Sequence, residues 1–371
     1  MKILHFYKAF GLEQYGGVEM FIRHLTHATA IQGCENTVLS LAKEPMQPVT
    51  TSSFRLVQAK QDMQIASTGF SWSSLGTFSR LAKQADVIHY HFPWPFMDLV
   101  HLLKGLGKPS VVTYHSDIVR QKALLQLYRP LMRAFLGRVD SIVATSPNYL
   151  ESSAVLLRYK HKACSIPIGL EQGLYPRPDA AEVGKLHRLY GERFFLFVGV
   201  LRYYKGLHYL LEAMRGSPWP LLIVGAGPMG RKLMQMAIQH GLHNVHFLGQ
   251  VSEQEKIDLM WACYGVIFPS HLRSEAFGIG LLEGAMMGKP LICIEIGTGT
   301  SFINRHGETG IVVPPANATA LREAMKTLWG SPQLAQQYGQ AARARFLSTF
   351  TASTMGQAYT DLYRRVAAQS P

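Results

Sequence analysis

Length, composition and charge narrow the class of protein. The chain has 371 residues, 47% hydrophobic and 16% charged, which favours a folded protein of two domains and excludes a disordered chain. Its apolar runs are much shorter than the roughly 20 residues that cross a bilayer, and its start lacks a signal-peptide pattern, so we expect a cytoplasmic protein.

The net charge of +13 indicates an anionic partner, either a small molecule or lipid head groups. We expect no nucleic-acid partner, because the chain has no long basic run, zinc-finger spacing or RNA-binding aromatic signature. The four cysteines are far apart and form no CxxC pair. A zinc site or a disulfide framework is therefore not expected, and we predict reduced thiols.

Short apolar runs alternate with helical patterns along the whole chain. In chain order the first half predicts strands at KILHFY, NTVLSLA, DVIHYHF, SVVTYHS, SIVATS and CSIPIG. The second half predicts strands at FFLFVGV, PLLIVGA, NVHFLGQ, GVIFPS, PLICIEI and TGIVVP. Nearly continuous Val, Ile and Leu runs are typical of parallel strands covered by helices on both faces. We therefore predict an α/β protein with two doubly wound, Rossmann-like domains.

A change of composition marks the predicted domain boundary. Proline and polar residues replace the strand and helix pattern in EQGLYPRPDAAE, residues 171–182. We place the first domain at residues 1–175 and the second at 176–350. A final helix is predicted in 351–371, where Thr and Ser precede Met355, Tyr359 and Leu362 at helical spacing.

The loops after the strands are the expected binding positions, because ligands of doubly wound sheets bind at the carboxyl ends of strands. Gly16 and Gly17 precede a helix, where backbone amides can approach an anion, although a tight turn without a ligand is the alternative. Arg202 and Lys205 follow the strand FFLFVGV and can pair with a diphosphate, unless they are ordinary surface charges.

The segment VGAGPMG, residues 224–230, fits the GxGxxG pattern of dinucleotide-binding proteins. About 20 residues further on, however, there is no acidic residue to hold a ribose. We therefore do not expect NAD at this turn.

Two acids flank a glycine-rich apolar run in SEAFGIGLLEG, residues 274–284. Because an unpaired buried charge is costly, Glu275 and Glu283 must face solvent, a partner or a polar ligand.

The motifs taken together resemble one family. FLFVGVLRYYKGLHYLLEA, LLIVGAGP, VHFLGQVSEQEK, FPSHLRSEAFGIGLLEGAMMGKPLI and TGIVVPP, in that order, resemble the retaining glycosyltransferases of family 4. Glu275 and Glu283 match the family's E-x7-E motif, and VVTYHSD and IVATSPNY extend the resemblance into the first half. The resemblance implies the GT-B fold, in which two Rossmann-like domains face each other across a cleft and a C-terminal helix crosses back to the first domain.

The resemblance also implies roles for individual residues. Glu283 would accept hydrogen bonds from the ribose of a nucleotide donor, and Glu275 would hold hydroxyls of the transferred sugar. His115 would contact that sugar or stabilise charge at the catalytic centre. The remaining donor contacts would be the cations Arg202 and Lys205, the glycines Gly16 and Gly17, the backbone near Val251, and the amides of Phe277, Gly278, Ile279 and Gly280.

The stretch EIGTGTSFIN, residues 295–304, replaces the Gly-Gly-Glu pattern of many members. This variant resembles bacterial enzymes of O-antigen and related polysaccharide synthesis that transfer mannose or rhamnose. It implies a GDP-linked donor, with a UDP-linked donor as the alternative. The net charge, together with a candidate interfacial helix at residues 120–138, indicates a lipid-linked glycan acceptor. No Asp-x-Asp triplet occurs in the chain, so we expect neither a metal nor another cofactor.

Two other functions fit parts of the pattern. An epimerase or a phosphorylase can share the architecture, but no lysine is singled out as a pyridoxal phosphate ligand. A non-catalytic basic protein that binds lipid or nucleic acid is the other alternative. The presence of both acids, both cations and His115 favours the enzyme.

The acceptor side is less clearly marked. His91 and Trp94, in HYHFPWPF after a first-domain strand, are candidate acceptor residues, although packed positions are the alternative. Residues 120–138 have an apolar face and carry Arg129 and Arg133, and Pro130 is predicted to kink or break this helix. The segment is either an ordinary surface helix or an interfacial one that contacts the anionic cytoplasmic face of the inner membrane.

Overall fold

The computed structural model describes residues 1–12, 16–65, 68–104, 107–118 and 122–369. The chain divides into two compact units. One comprises the chain up to Leu170 together with the chain from Thr351 onwards, and the other comprises Glu171–Phe350.

The first unit is built on an eight-stranded sheet with a separate two-stranded hairpin. Its strands are β1 (Lys2–Phe6), β2 (Glu35–Ala42), β3 (Val49–Thr50), β4 (Arg55–Lys60), β5 (Met63–Ile65), β6 (Thr68–Phe70), β7 (Val87–Phe92), β8 (Ser110–Tyr114), β9 (Ser141–Ala144) and β10 (Ala163–Ser165). The helices before Leu170 are α1 (Gly17–Ile31), α2 (Trp72–Gln84), α3 (Pro95–Lys104), α4 (Lys122–Arg138), α5 (Pro147–Ser152) and α6 (Ala154–Arg158). The sheet order is β10-β9-β8-β7-β1-β2-β4-β3, with β5 and β6 forming the hairpin.

The second unit is built on a six-stranded parallel sheet in the order β13-β12-β11-β14-β15-β16. Its strands are β11 (Phe195–Val198), β12 (Leu221–Val224), β13 (Val245–Gly249), β14 (Gly265–Phe268), β15 (Leu291–Ile294) and β16 (Gly310–Val313). Its helices are α7 (Ala180–Tyr190), α8 (Leu207–Met214), α9 (Gly230–Gln239), α10 (Glu253–Ala262), α11 (Ile279–Met286), α12 (Gly299–Ile303), α13 (Ala318–Gly330) and α14 (Pro332–Thr349). The four inner strands are short and almost wholly buried, as expected for a sheet covered on both faces, whereas the edge strands β13 and β16 are partly exposed.

The last helix, α15 (Ala352–Gln369), packs on α1 in the first unit. A hydrogen bond of 3.0 Å from the Ala352 amide to the Leu170 carbonyl fixes the start of this helix. Gly356 permits the close approach of the two helices, since a Cβ there would lie 2.6 Å from the Cβ of Ala28.

The prediction of an α/β fold with two sheets is confirmed, and each predicted strand run contains a strand. The sequence missed β3, β4, β5 and β6. These strands are short or carry alternating polar residues, so they lack the continuous apolar run on which the predictions rested. The four cysteines are free thiols, which agrees with the absence of a disulfide framework.

Of the predicted kink or break at Pro130, the break is wrong, because α4 continues through that residue; the kink stays a prediction. Tyr128 precedes the proline, and Met132 and Phe135 follow it; all three side chains are buried. This packing on both sides holds the helix together despite the backbone hydrogen bond that proline removes. Residues 120 and 121 of the predicted helix lie outside the described residues.

Candidate functional site

In the second unit, two loops meet at the carboxyl edge of the sheet. One follows β11 and contains Arg202 and Lys205, and the other follows β14 and leads to Glu275. Gly206 lies between the two loops with φ of +69°, and a Cβ at this position would lie 1.9 Å from the Pro269 carbonyl oxygen. Only glycine fits both this backbone conformation and this contact.

Lys205 and Glu275 form a buried ion pair. Nζ of Lys205 donates to Oε2 of Glu275 at 2.5 Å, and the side chains are 11% and 13% exposed. Ser270 Oγ donates to the same oxygen at 3.1 Å, and Nζ lies 4.6 Å from the centre of the Phe268 ring. Burial, helped by the Glu275 charge, raises the pKa of Tyr204 to about 12. From the sequence, Lys205 was expected to contact the phosphates and Glu275 the sugar, whereas in the structure the two side chains pair with each other.

Glu283 lies on α11, the helix that follows Glu275, and its carboxylate is also paired. It is buried on α11, where its Oε1 accepts from Lys256 Nζ at 2.7 Å and from the Tyr175 hydroxyl at 3.2 Å. Burial lowers the pKa of Lys256, but the carboxylates of Glu283 and Glu253 more than offset this, so that the pKa is raised. Within the described residues both contacts of Glu283 use Oε1, which leaves Oε2 to accept from a ligand hydroxyl.

Sequence reasoning missed Lys256 and Tyr175. Lys256 is a helix residue just after the Ser252–Glu255 capping box, and Tyr175 lies in the segment predicted as a domain boundary. Neither position has a local signal that marks it as a partner of Glu283.

Between the two acids, α11 begins with amides that have no partner within the helix. Gly278 caps the helix with φ of +104°, and the first intrahelical bond runs from the Leu282 amide to the Gly278 carbonyl. The amides of the preceding turn, including Ile279 and Gly280, therefore point out of the helix, as at every helix N-terminus. With the helix dipole they favour a negatively charged or hydroxyl-rich ligand. Phe277, the other predicted amide position, has a buried side chain.

The glycines of VGAGPMG have a packing role. A Cβ on Gly225 would lie 2.1 Å from the Gly199 carbonyl oxygen, and one on Gly227 would lie 2.6 Å from the Leu201 carbonyl oxygen. They are required where the loop after β12 touches the loop after β11, so the GxGxxG pattern has a structural cause here.

The remaining predicted donor residues differ in their surroundings. Arg202 is exposed and has no ion pair among the described residues. Val251 is half-buried just before α10.

In the first unit, Gly16 and Gly17 begin α1, but the Glu19 carboxylate accepts hydrogen bonds from the backbone amides at Gly16 and at its own position. Burial raises the pKa of Glu19 despite these bonds.

His115 lies at the end of a chain of buried histidines in the first unit. His115 Nε2 is 3.2 Å from His91 Nδ1, and His91 Nε2 is 3.3 Å from His5 Nδ1. His5 Nε2 is 3.3 Å from Asn36 Oδ1. Burial lowers the pKa of His5 to about 4 and that of His115 to about 3, and it places the pKa of His91 well below its ordinary value. The described structure therefore presents neutral imidazoles.

The two predicted acceptor residues are buried. His91 takes part in the histidine chain, and Trp94 packs against Phe6 while its Nε1 donates to the Gly69 carbonyl at 3.0 Å. Neither side chain is exposed to contact an acceptor, because the apolar interior and these hydrogen bonds hold both rings inside the unit.

The imidazoles of His5, His89 and His91 are close enough to share a metal ion. However, every ring nitrogen of the three already has a partner. His89 bonds Tyr363 and Thr113, each at 2.7 Å, and the nitrogens of His5 and His91 belong to the histidine chain. With three neutral ligands, no carboxylate and complete burial, the cluster is better described as a hydrogen-bond network than as a metal site.

Two family models cover most of the chain. Residues 15–171 match "Glycosyltransferase Family 4" and residues 182–345 match "Glycosyl transferases group 1". The chain is 54% identical to D-rhamnosyltransferase WbpZ of Pseudomonas aeruginosa, covering 95% of this chain and 93% of that protein. It is 47% identical to O-antigen chain mannosyltransferase C of Escherichia coli, covering 98% of each.

Solved structures agree on the fold. Sucrose-phosphate synthase from Thermosynechococcus elongatus superimposes with a TM-score of 0.82 at 23% identity over the full length of both chains. WaaG, a glycosyltransferase of lipopolysaccharide biosynthesis, gives 0.71 at 17% identity over 97% of this chain and 99% of that one. The chain therefore belongs to glycosyltransferase family 4 and has the GT-B fold.

Proposed function

We propose that this enzyme transfers a mannose-type hexose, mannose or its 6-deoxy derivative D-rhamnose, from a GDP-linked donor to a lipid-linked glycan of O-antigen synthesis. The chemistry rests on one observation, which is that Glu275 and Glu283 flank a helix N-terminus beside Arg202 and Lys205 at one sheet edge. The choice of sugar rests on the similarity to a D-rhamnosyltransferase and a mannosyltransferase over almost the whole chain.

The donor is assigned to the second unit. Glu283 Oε2 accepts from a ribose hydroxyl while Lys256 and Tyr175 hold the carboxylate through Oε1. The backbone near Val251 faces the base. The amides of Phe277, Gly278, Ile279 and Gly280 meet the sugar and the phosphates at the start of α11.

The remaining groups stabilise the charges that develop on the diphosphate and on the sugar during transfer. As the bond between the anomeric carbon and the diphosphate oxygen breaks, the electron pair leaves with the diphosphate and positive charge develops on the sugar ring. Arg202, exposed and unpaired in the described structure, stabilises the departing diphosphate. Lys205 holds Glu275, whose carboxylate faces hydroxyls of the sugar. The acceptor oxygen bonds to the anomeric carbon and gives its proton to an oxygen of the departing diphosphate.

From the first unit we assign two contributions. His115 contacts the transferred sugar, and the amides at Gly16 and Gly17 contact the diphosphate once the Glu19 carboxylate leaves the Gly16 amide. Stabilisation of the diphosphate requires no metal in this proposal, because cations and helix amides supply the positive charge.

The first test is thermal stabilisation by GDP, UDP, ADP and TDP at equal concentration with a chelator present. Binding to the folded state raises the melting temperature in proportion to the logarithm of ligand over Kd. We expect GDP to give the largest shift in melting temperature. When a lipid-linked glycan is then added to the enzyme with GDP-mannose or GDP-D-rhamnose, we expect GDP to be released. A larger shift with UDP contradicts the donor, and no shift with any nucleotide favours a non-catalytic protein.

Matched arginine variants test the phosphate contact. Arg202→Ala should weaken GDP binding roughly 10-fold or more, since hydrogen bonds between charged groups contribute about 1.5–3 kcal/mol. Arg188→Ala, which removes an exposed arginine of α7 in the same unit, should leave GDP affinity unchanged. Equal effects of the two variants contradict a diphosphate role for Arg202.

We also propose that α4 contacts the membrane surface, where a lipid-linked acceptor resides. Leu127 is 80% exposed on this helix, and the exposed Arg129 and Arg133 follow it within two turns. An apolar side chain beside cations suits an anionic lipid interface. Among the described residues no helix is both long and apolar enough to cross a bilayer.

Vesicle co-sedimentation tests this contact. The protein should bind vesicles of phosphatidylglycerol and phosphatidylcholine better than vesicles of phosphatidylcholine alone. The double variant Arg129→Glu/Arg133→Glu should lose the difference, and Arg188→Glu should keep it. Equal binding by both variants contradicts the role of α4.

A further inference from the structure

We infer that Asn36, His5 and His91 are positioning residues that hold His115 as its Nε2–H tautomer, so that Nδ1 of His115 is a hydrogen-bond acceptor for a substrate hydroxyl. The hydrogen bonds along the buried chain that these four residues form all run in one direction. Its consequence for catalysis rests on the proposed glycosyl transfer, but the tautomer itself does not.

Asn36 sets the direction of the chain. Its Nδ2 donates to the Thr26 carbonyl at 2.9 Å and to the Ser53 carbonyl at 3.2 Å. Because carbonyl oxygens cannot donate, this fixes the orientation of the amide and turns Oδ1 towards His5. Oδ1 is an acceptor only, so His5 Nε2 must carry a proton.

Each neutral imidazole then determines the next. A neutral ring with a proton on Nε2 has an unprotonated Nδ1. His5 Nδ1 therefore accepts, and His91 Nε2, 3.3 Å away, must donate. His91 Nδ1 accepts in turn, and His115 Nε2, 3.2 Å away, must donate. The final result is a lone pair on Nδ1 of His115.

The neutral state of the rings has a physical cause. His5 and His91 have no exposed surface, and charging a buried imidazole among other imidazoles is unfavourable. The pKa values of all three rings are accordingly lowered by burial.

His115 is placed to use its lone pair. It is 8% exposed, and within the described residues its Nδ1 has no hydrogen-bond partner. The backbone holds the residue as well, because its amide donates to the Phe92 carbonyl at 3.0 Å. A neutral acceptor nitrogen suits a sugar hydroxyl, whereas the opposite tautomer would present a donor.

The tautomer is measured directly on the whole protein without turnover. In protein labelled with 15N-histidine, long-range proton–nitrogen correlation distinguishes Nε2–H, Nδ1–H and doubly protonated rings. Spectra of His115→Gln and His91→Gln assign the signals. We expect His5, His91 and His115 all as Nε2–H at neutral pH. A signal of His115 as Nδ1–H, as imidazolium or as a mixture of tautomers overturns the inference.

Kinetics tests the positioning role. His91→Phe removes both links, so His115 should become a mixture of tautomers, and kcat for GDP release from the preferred GDP-sugar should fall about 10- to 100-fold with KM nearly unchanged. His91→Gln keeps one donor and one acceptor and should recover much of kcat.

The matched control is His89→Phe. His89 is equally buried with its ring centre 4.4 Å from that of His91, but it bonds Tyr363 and Thr113 and lies outside the chain to His115. It should leave the His115 tautomer and kcat nearly unchanged. If His89→Phe lowers kcat as much as His91→Phe, or if His91→Phe keeps full kcat, the positioning role is refuted. If no GDP-sugar is turned over, the proposed function fails and the tautomer measurement still stands.

Discussion

Lys205 Nζ and Glu275 Oε2 lie 2.5 Å apart in a largely buried pair. The cation and the carboxylate that the family pattern assigns to different parts of the donor thus neutralise each other without a donor. In the proposed donor complex, a diphosphate-linked sugar would contact a pair whose charges already neutralise each other. Arg202 remains as the exposed cation of the same loop.

Removing one partner of this pair should cost stability. Lys205→Met leaves the Glu275 carboxylate buried without compensation, and we expect the free energy of unfolding to fall by about 3 kcal/mol. Urea denaturation measures this change. The double variant Lys205→Met/Glu275→Gln should recover part of the loss, because no charge is then left unpaired. Simple additivity of the two single variants contradicts direct pairing.

The Lys256–Glu283 pair should support donor binding. Lys256→Met removes the 2.7 Å contact to Oε1, so the carboxylate loses its orientation, and we expect GDP affinity to fall about 10-fold. Isothermal titration calorimetry measures this. Lys185→Met is the control, because Lys185 is 56% exposed in its pair with Glu182 and such pairs contribute about 0–1 kcal/mol. GDP affinity that is equal in the two variants argues against the assigned role.

Gly206 should tolerate no side chain. In Gly206→Ala the new Cβ meets the Pro269 carbonyl oxygen and separates the two loops of the proposed donor site, so both stability and GDP binding should fall. Gly241→Ala introduces a side chain at a similar φ of +63°, with no atom within 4 Å of the added carbon. We expect about 1–2 kcal/mol for Gly241→Ala and clearly more for Gly206→Ala, measured by urea denaturation. Equal losses contradict the close contact.

The buried histidines should make the protein sensitive to acid. His5, His89, His91 and His115 all have a pKa lowered by burial in the folded state. The unfolded chain therefore binds more protons below about pH 6.5, and stability is lost as the pH falls towards about 4. Each histidine contributes up to about 1.4 kcal/mol per pH unit in this window. The raised pKa values of the Asp98 and Glu19 carboxyl groups act in the opposite direction, but through fewer groups.

Urea denaturation at a series of pH values between about 7 and 5 measures this slope. His89→Gln removes one titrating ring and should make the slope shallower. A free energy of unfolding that stays constant over this range contradicts the expected burial cost of the histidines.

Much of the architecture could be predicted because its cause is local. Continuous apolar runs such as FLFV at β11 and LICI at β15 specify buried parallel strands in any surrounding. The spacing of Glu275 and Glu283 places both acids around one short helix, and the positions of Arg202 and Lys205 directly after a strand place them at its carboxyl edge. The second half of the chain was therefore recognisable as a parallel α/β domain with charged side chains at one edge of its sheet.

The pairings within the sites were decided only by the tertiary structure. Lys205 and Glu275 are 70 residues apart in sequence, and His5 and His91 are 86 residues apart. Trp94 has a sequence context suited to a loop but packs in the interior. Such contacts depend on the order of strands in the sheet and on which faces are covered, and a hydrogen bond of about 3 Å depends on distances that no local pattern encodes. The sequence by itself determined which chemical groups are present at which strand ends, whereas folding decided which of them neutralise, orient or bury one another.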